Sequence, residues 1–374
     1  MAEYLYIHIP YCVKKCVYCD FLSLPFDEQS VRSYMESLCR ELEIRRDTAG
    51  KLRSIYIGGG TPTLLPLDCF RQLFRCLEEN YDFSPGIEIS VEANPGTVNA
   101  AGIEELMSAG VNRLSIGIQS FHNDELKTLG RIHTAEEALE AVMLVRGAGI
   151  ENFSLDLMYG IPGQTMETWE QTLSTAAGLW PAHISSYELT PEEGTPLSLL
   201  IKADALRIPE EGLVLEMYGH AKDFLNSNKY EHYEISNFAL PGFRCLHNLN
   251  YWDRGEYLGV GAGAHSFMAG VRSWNTPDID AYCEILTNNI IPGAGAIKIS
   301  AGEALKEFIF LGLRKTDGIA LEEAEKMMPD IIHAFSELVA NGHLVIEKDR
   351  LKLTRKGLPL SNMVIVNLFQ RLGL

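Results

Sequence analysis

The chain predicts an α/β protein: a partial (β/α)6 TIM-type barrel followed by a smaller C-terminal domain with a winged-helix-like end. Three observations carry this. Short β-rich runs alternate with longer helical patterns from residue 4 to about 190, polar residues gather just after successive runs, and the rhythm changes after about residue 230. Six strands are predicted, Tyr4–Ile9, Arg53–Ile57, Ile87–Val91, Arg113–Ile118, Phe153–Met158 and His183–Glu188. The segments between them (about 28–46, 67–80, 99–109, 134–148 and 165–178) place apolar residues at helical spacing and end near glycines such as Gly110, Gly149 and Gly178. Successive βα units wind with one hand, into a barrel or an open doubly wound sheet. The barrel is favoured by where the unusual residues fall. A cysteine cluster follows strand one and Gly58-Gly59-Gly60-Thr61-Pro62 follows strand two; Glu92, Gln119, Asp156 and Tyr187-Glu188 sit at the ends of strands three to six. An open sheet would concentrate its chemistry at one switch point.

After residue 230 come Tyr230, Tyr233, His247, Tyr251, Trp252 and Tyr257, then the small-residue run Gly259 to Ala264 and His265. Ser300 and Glu303 form a capping box that opens a helix, and two shorter helices lead to Asn341-Gly342. A hairpin follows, His343–Ile346 and Leu351–Thr354 through Lys348-Asp349. Domain limits are therefore expected at 1–228 for the barrel, 229–299 for a linking segment and 300–374 for the C-terminal domain. The expected third helix, Asp330–Asn341, contains no Lys or Arg, so the winged helix is read as a packing domain and not a DNA reader.

Length and composition agree. At 374 residues the chain is long enough for about two domains, and 46% hydrophobic with 22% charged residues excludes a disordered or collagenous protein. A formal charge of -18 repels phosphate backbones, so no nucleic-acid partner is expected. Glu3 stands where a signal peptide needs basic residues, and no apolar run approaches the ~18 residues of a membrane span. A cytoplasmic protein with reduced thiols is expected. The apolar Leu358–Phe369 segment is read first as a closing core helix and second as a transient membrane or partner contact.

Eight cysteines are too few for a disulfide framework in a chain this long, yet three crowd into Cys12-Val-Lys-Lys-Cys16-Val-Tyr-Cys19. Three readings fit the spacing: a zinc knuckle with His8 or another residue as fourth ligand, three buried thiols, or a four-iron cluster on three thiolates with one iron left open. Neither Asp20 nor Phe21 is a soft ligand, so no local fourth donor completes the set.

The stretch Tyr6 to Phe21 around these cysteines resembles the cluster loop of radical S-adenosylmethionine (SAM) proteins, specifically the oxygen-independent coproporphyrinogen oxidase group. Gly58-Gly-Gly-Thr-Pro62, Ser90-Val-Glu-Ala-Asn-Pro95, Ser115-Ile-Gly-Ile-Gln-Ser120 and Leu155-Asp-Leu-Met-Tyr-Gly-Ile-Pro162 recur in that group in the same order. The resemblance implies a [4Fe-4S] cluster on Cys12, Cys16 and Cys19, with SAM on its open iron. It also implies SAM contacts at Tyr6, Tyr18, Gly59, Gly60, Thr61, Glu92, Gln119, Arg131 and Asp156, some of them to a second SAM. Glycines at a strand end allow close backbone approach, and a carboxylate such as Glu92 suits a ribose or ammonium group.

Two departures from the oxidase matter. Its loop carries a further cysteine where this chain has Phe21, and a longer segment precedes its loop. Cys245-Leu-His247-Asn248-Leu-Asn-Tyr251-Trp252 instead matches the haem-chaperone branch of the group. This implies haem b as a partner, held by His247 as axial ligand with Tyr251 and Trp252 against the porphyrin, and handed on to respiratory haem proteins. The alternative is oxidative decarboxylation of coproporphyrinogen III to protoporphyrinogen IX. No catalytic residue is assigned.

Overall fold

The computed structural model describes residues 1–329 and 331–374. All six expected strands are present, as β1 (Ala2–Ile9), β2 (Ala49–Gly59), β3 (Phe83–Ala93), β4 (Arg113–Gln119), β5 (Phe153–Tyr159) and β6 (His183–Glu188). They lie side by side in chain order, each pair parallel. Helices α1 (Glu28–Arg45), α2 (Leu67–Asn80), α3 (Ala100–Ser108), α4 (Asn123–Thr128), α5 (Ala135–Gly147) and α6 (Met166–Gly178) make the crossovers. Their starts are fixed locally: Asp27 accepts from Ser30 N at α1, and Thr134 with Glu137 closes a capping box at α5.

Each strand presents two faces. One is apolar and buried in the core, with Leu5, Ile7 and Ile9 on β1, Ile55 and Ile57 on β2, and Leu155 and Leu157 on β5. The other carries Tyr4, Tyr6, His8, Ser54, Tyr56, Glu92, Ser115 and Asp156. Because side chains alternate along a strand, the register sets these in rows, Tyr6 beside Tyr56, Glu92 beside Ser115, and Asp156 beside Ser185. The polar rows form the inner wall of the barrel, where a site can be built.

Beyond β6 come α7 (Pro196–Lys202), α8 (Glu211–Ser227), β7 (Glu231–Glu234), β8 (Asn237–Ala239), α9 (Leu246–Trp252), β9 (Leu258–Val260), β10 (His265–Met268), β11 (Val271–Asn275), α10 (Ile279–Thr287) and β12 (Gly293–Lys298). The stretch expected to act as a link is woven into the barrel sheet. β9 pairs parallel to β1, while β8 pairs antiparallel to β6 and carries β7 outside it, for nine strands in the order β9-β1-β2-β3-β4-β5-β6-β8-β7. β10, β11 and β12 make a separate antiparallel sheet. Glu41, fully buried on α1, ties that region to the barrel by accepting from Gly261 N at 2.8 Å, Asn275 Nδ2 at 2.8 Å and Tyr282 Oη at 2.7 Å.

The C-terminal part contains α11 (Ala301–Gly312), β13 (Ile319–Ala320), α12 (Leu321–Met327), α13 (Ile331–Ala340), β14 (Leu344–Glu347), β15 (Arg350–Leu353) and α14 (Ser361–Leu372). The wing turns through Lys348 and Asp349, both left-handed with φ 48° and 59°, the backbone of a type I′ hairpin turn. Asp330, the expected start of the third helix, lies outside the described residues. α14 buries Val364, Ile365, Leu368 and Leu372, the behaviour of a closing core helix. No helix among the described residues is long and apolar enough to cross a membrane. Ser300 and Glu303 form the expected capping box on α11. Ser300→Ala is therefore expected to cost about 1 kcal/mol of stability, read by urea denaturation; an unchanged midpoint would show that the cap does not hold α11.

Candidate functional site

The cysteine loop leaves β1 and is clamped by the main chain. Leu24 N donates to Pro10 O at 2.7 Å, Phe26 N to Cys12 O at 2.9 Å, Val17 N to Leu129 O at 3.2 Å, and Leu197 N to Val17 O at 2.9 Å. Val17 also packs on a small apolar cluster formed by Leu129, Met158, Ile161, Leu189 and Leu197. Cys12, Cys16 and Cys19 are unpaired and half-buried. Burial is the chief cause that pushes the Cys12 and Cys19 thiols above their ordinary range, and Cys16 adds to both, so the three thiols share one field. Two donors face them: Thr61 Oγ1 lies 3.6 Å from Cys12 Sγ, and Arg131 Nη1 lies 3.6 Å from Cys16 Sγ. Among the described residues no three His, Cys, Asp or Glu side chains are gathered to hold a single metal ion. Three thiols with a guanidinium and a hydroxyl beside them suit anionic sulfur, the chemistry that a cluster ligand set requires.

Behind the loop, the glycine run ends β2 at close quarters. Gly59 has φ 108°, and a Cβ there would stand 2.3 Å from the His8 ring. A Cβ on Gly60 would stand 2.6 Å from Tyr11 O, and one on Gly58 2.7 Å from Glu92 Oε2. The glycines are thus required by packing even before a ligand approaches. His8 Nε2 lies 3.1 Å from Leu22 O, which can only accept, so this nitrogen carries the proton and Nδ1 accepts from Tyr6 Oη at 2.9 Å. Glu92 accepts from Tyr56 Oη and from Gly59 N, both at 2.9 Å. Burial nevertheless pushes Glu92 up to about 7, with nearby Asp156 raising it a little more.

A second chain of contacts runs from β3 to the cysteines. Asn94 Nδ2 donates to Thr61 Oγ1 at 2.7 Å, Arg131 Nη2 donates to Asn94 Oδ1, and the same nitrogen reaches Gly117 O at 2.5 Å. Arg131 also meets Tyr18, whose hydroxyl is held above its ordinary range chiefly by burial. Gln119 closes β4 in the left-handed region at φ 68°, a strained conformation for a residue with a side chain. Its Nε2 and the Asn94 and Arg131 side chains converge over Gly117, where a Cβ would meet them at 3.1 to 3.3 Å. Asp156 accepts from Ser115 Oγ at 2.9 Å and Ser154 Oγ at 3.3 Å, and burial holds it above the usual carboxylate range. Of the nine expected SAM contacts, Gly59, Gly60, Thr61, Glu92 and Gln119 stand at or just past the C-terminal ends of β2, β3 and β4, Tyr6 and Asp156 lie within β1 and β5, Tyr18 is on the cysteine loop and Arg131 follows α4. Tyr56 and Asn94 were not singled out, although Asn94 lies two residues past Glu92 and shares its side of the strand.

The three expected haem residues, His247, Tyr251 and Trp252, lie on α9. His247 is 1% exposed. Its Nδ1 lies 3.0 Å from Ser54 Oγ, its Nε2 lies 2.9 Å from Tyr251 Oη, and its ring centroid stands 5.2 Å from that of Tyr56. Glu88 seals this corner by accepting from Leu246 N and His247 N, each at 3.0 Å. Burial holds His247 down to about 3, so the ring is neutral, with both nitrogens hydrogen-bonded to hydroxyls. Tyr251 is tied to His247, and Trp252 is half-buried with Arg314 5.9 Å above its ring. Spacing of four residues on α9 brings His247 and Tyr251 together on one side of the helix.

The Radical SAM superfamily model matches residues 6–176, and the HemN C-terminal domain model matches residues 299–360. The chain is 36% identical to the heme chaperone HemW of Lactococcus lactis subsp. lactis over 364 residues, covering 96% of this chain and 95% of that one. It is 35% identical to HemW of Bacillus subtilis over 373 residues, covering 96% and 97%. The structure of coproporphyrinogen III oxidase (HemN) from Escherichia coli, a radical SAM enzyme, superposes with TM-score 0.83 over 98% of this chain and 89% of that one. At 21% identity that likeness establishes a shared fold. By its end-to-end similarity to the HemW proteins, the chain belongs to the HemW family of radical SAM proteins.

Proposed function

We propose that this protein is a haem chaperone that holds a [4Fe-4S] cluster and SAM, carries haem b and passes it to respiratory haem proteins in the cytoplasm. The observation that carries the reading is the 36% identity, over nearly the whole of both chains, to a protein named as a heme chaperone. Phe21, exposed where the oxidase pattern has its additional cysteine, favours it over porphyrinogen decarboxylation.

In this reading Cys12, Cys16 and Cys19 ligate the cluster, whose open iron would receive the amino and carboxylate groups of SAM. Arg131 and Thr61 stabilise the thiolates of Cys16 and Cys12. Gly59 and Gly60 leave backbone exposed for the ligand. Glu92, Tyr6 and Tyr18 line the approach, and Gln119 and Asp156 stand across the mouth. Residues 1–228 supply the cluster and SAM residues of the barrel, 229–299 add its edge strands and the haem-linked motif, and 300–374 form the closing domain.

The test is anaerobic. The reconstituted protein is titrated with haem, then mixed with an apo-haem protein, and separately incubated with coproporphyrinogen III, reductant and SAM. Stoichiometric haem binding, transfer to the acceptor and no porphyrinogen product are expected. Turnover to protoporphyrinogen IX, or no haem binding, overturns the reading.

A further inference from the structure

We propose that Asn94 is a positioning residue that aims the two donors beside the cysteine loop, Thr61 at Cys12 and Arg131 at Cys16, and so sets how readily a cluster on these thiolates takes up an electron; this rests on the cluster reading above. Asn94 stands one residue past β3, between the two side chains that reach the cysteines.

The direction of each hydrogen bond follows from the groups involved. A guanidinium only donates, so the Asn94 side-chain oxygen faces Arg131 and its amide nitrogen faces Thr61. That nitrogen also only donates. Thr61 Oγ1, 2.7 Å from Asn94 Nδ2, therefore accepts there, and its own proton is left for Cys12 Sγ at 3.6 Å. On the other side Arg131 Nη2 is shared between Asn94 Oδ1 and Gly117 O. This fixes the plane of the guanidinium and leaves Nη1 facing Cys16 Sγ at 3.6 Å.

Asn94 can aim others because its own place is fixed. Pro95 keeps it extended, at φ -111° and ψ 143°. Its carbonyl accepts from Thr97 N at 2.9 Å and from Thr97 Oγ1 at 2.8 Å, and the Thr97 hydroxyl meets Thr63 Oγ1 at 2.6 Å, just past the glycine run. Gly117 gives the amide and the guanidinium room to meet, since a Cβ there would stand 3.2 Å from Asn94 Oδ1 and 3.3 Å from Arg131 Nη2. Reduction adds negative charge to cluster sulfurs, and hydrogen bonds to them stabilise that charge, so each donor raises the reduction potential. One amide thus governs the donors on two of the three cysteines.

The test is a redox titration of the anaerobically reconstituted full-length protein without SAM, poised with dithionite and low-potential mediators and read by electron paramagnetic resonance. Thr61→Val keeps the size of the side chain and removes the hydroxyl, so the one-electron equilibrium should become about tenfold less favourable, a fall of about 59 mV. Asn94→Asp also keeps its size and still accepts from Arg131, but a carboxylate cannot donate, so Thr61 turns its proton to it and away from Cys12. The added charge lowers the potential by itself. The decisive comparison is therefore Thr61→Val made in the Asn94→Asp background, where it should shift the potential no further. Asn94→Ala, which adds no charge and releases both donors, should fall below Thr61→Val. A Thr61→Val shift that is equal in both backgrounds or absent from the unaltered chain, or an Asn94→Ala potential no lower than that of Thr61→Val, overturns the assignment. If the unaltered protein takes up no [4Fe-4S] cluster, it is the cluster reading that falls.

Discussion

Cys16→Ser is expected to leave a folded protein that holds less than about one iron per chain after anaerobic reconstitution, against about four for the unaltered chain. Serine is close in size to cysteine, and Cys16 is half-buried on a loop whose shape is set elsewhere, by Val17 N on Leu129 O and by Leu197 N on Val17 O. The fold therefore survives the exchange. The hydroxyl does not replace the thiolate, because it is a hard donor with a pKa far above that of a thiol, and iron-sulfur clusters select soft sulfur. Arg131, which lies 3.6 Å from Cys16 Sγ, would then face a neutral group, and the guanidinium that stabilised the ligand no longer has one to stabilise. Cys39→Ser is the control. Cys39 is buried between α1 and α2 beside Cys76 and has no part in the loop, so its iron content should match the unaltered chain. Iron and sulfide analysis with far-UV circular dichroism reads both variants. Full iron in Cys16→Ser would remove the triad from its assigned role.

The βα alternation was legible because each buried strand is a dense run of Ile, Leu and Val bounded by turn residues, and because Asp27 and Thr134 announce their helices. The edges of the sheet were not. Leu258–Val260 is three residues with a glycine in the middle, and only its neighbours Leu5, Tyr6 and Ile7 make it a strand. Such pairing spans some 250 positions along the chain and leaves no local period. In the site, the cysteines and glycines stood out because their chemistry and backbone freedom are rare. Asn94 and Tyr56 did not, since they act by joining other residues: Asn94 links Thr61 to Arg131, and Tyr56 donates to Glu92. His247 stood out by its residue type, while its distance of four positions from Tyr251 on a short helix is what sets the two side by side.

Glu92→Gln is expected to separate stability from SAM binding, in opposite directions. In the unliganded protein burial raises Glu92 from 4.5 to about 7, so the folded chain keeps its proton over a range where the unfolded chain has lost it. The stabilisation is complete below about pH 4.5, declines as pH rises, and is gone above about 7. The shift corresponds to roughly 3 kcal/mol between those limits. Glutamine has no proton to lose and fits the same space: its carbonyl oxygen can accept from Gly59 N, while its amide donates to the Tyr56 hydroxyl oxygen. The variant should therefore unfold at a higher temperature than the unaltered protein at pH 8, with little difference at pH 4.5. SAM binding should change the other way. The proposed partner of Glu92 is a ribose hydroxyl or an ammonium group, and an ionised acceptor contributes about 1–1.5 kcal/mol more than the neutral amide oxygen that replaces it, so affinity should fall roughly 5- to 10-fold at pH 8. Below pH 7 the unaltered protein must first give up the Glu92 proton, so its SAM affinity should weaken as pH falls from 8 to 6 while that of Glu92→Gln stays level. Equilibrium dialysis of SAM at both pH values, paired with thermal unfolding of the ligand-free proteins, reads the two effects separately. Equal SAM affinities at pH 8 would take Glu92 out of the binding site even if the stability change is as expected.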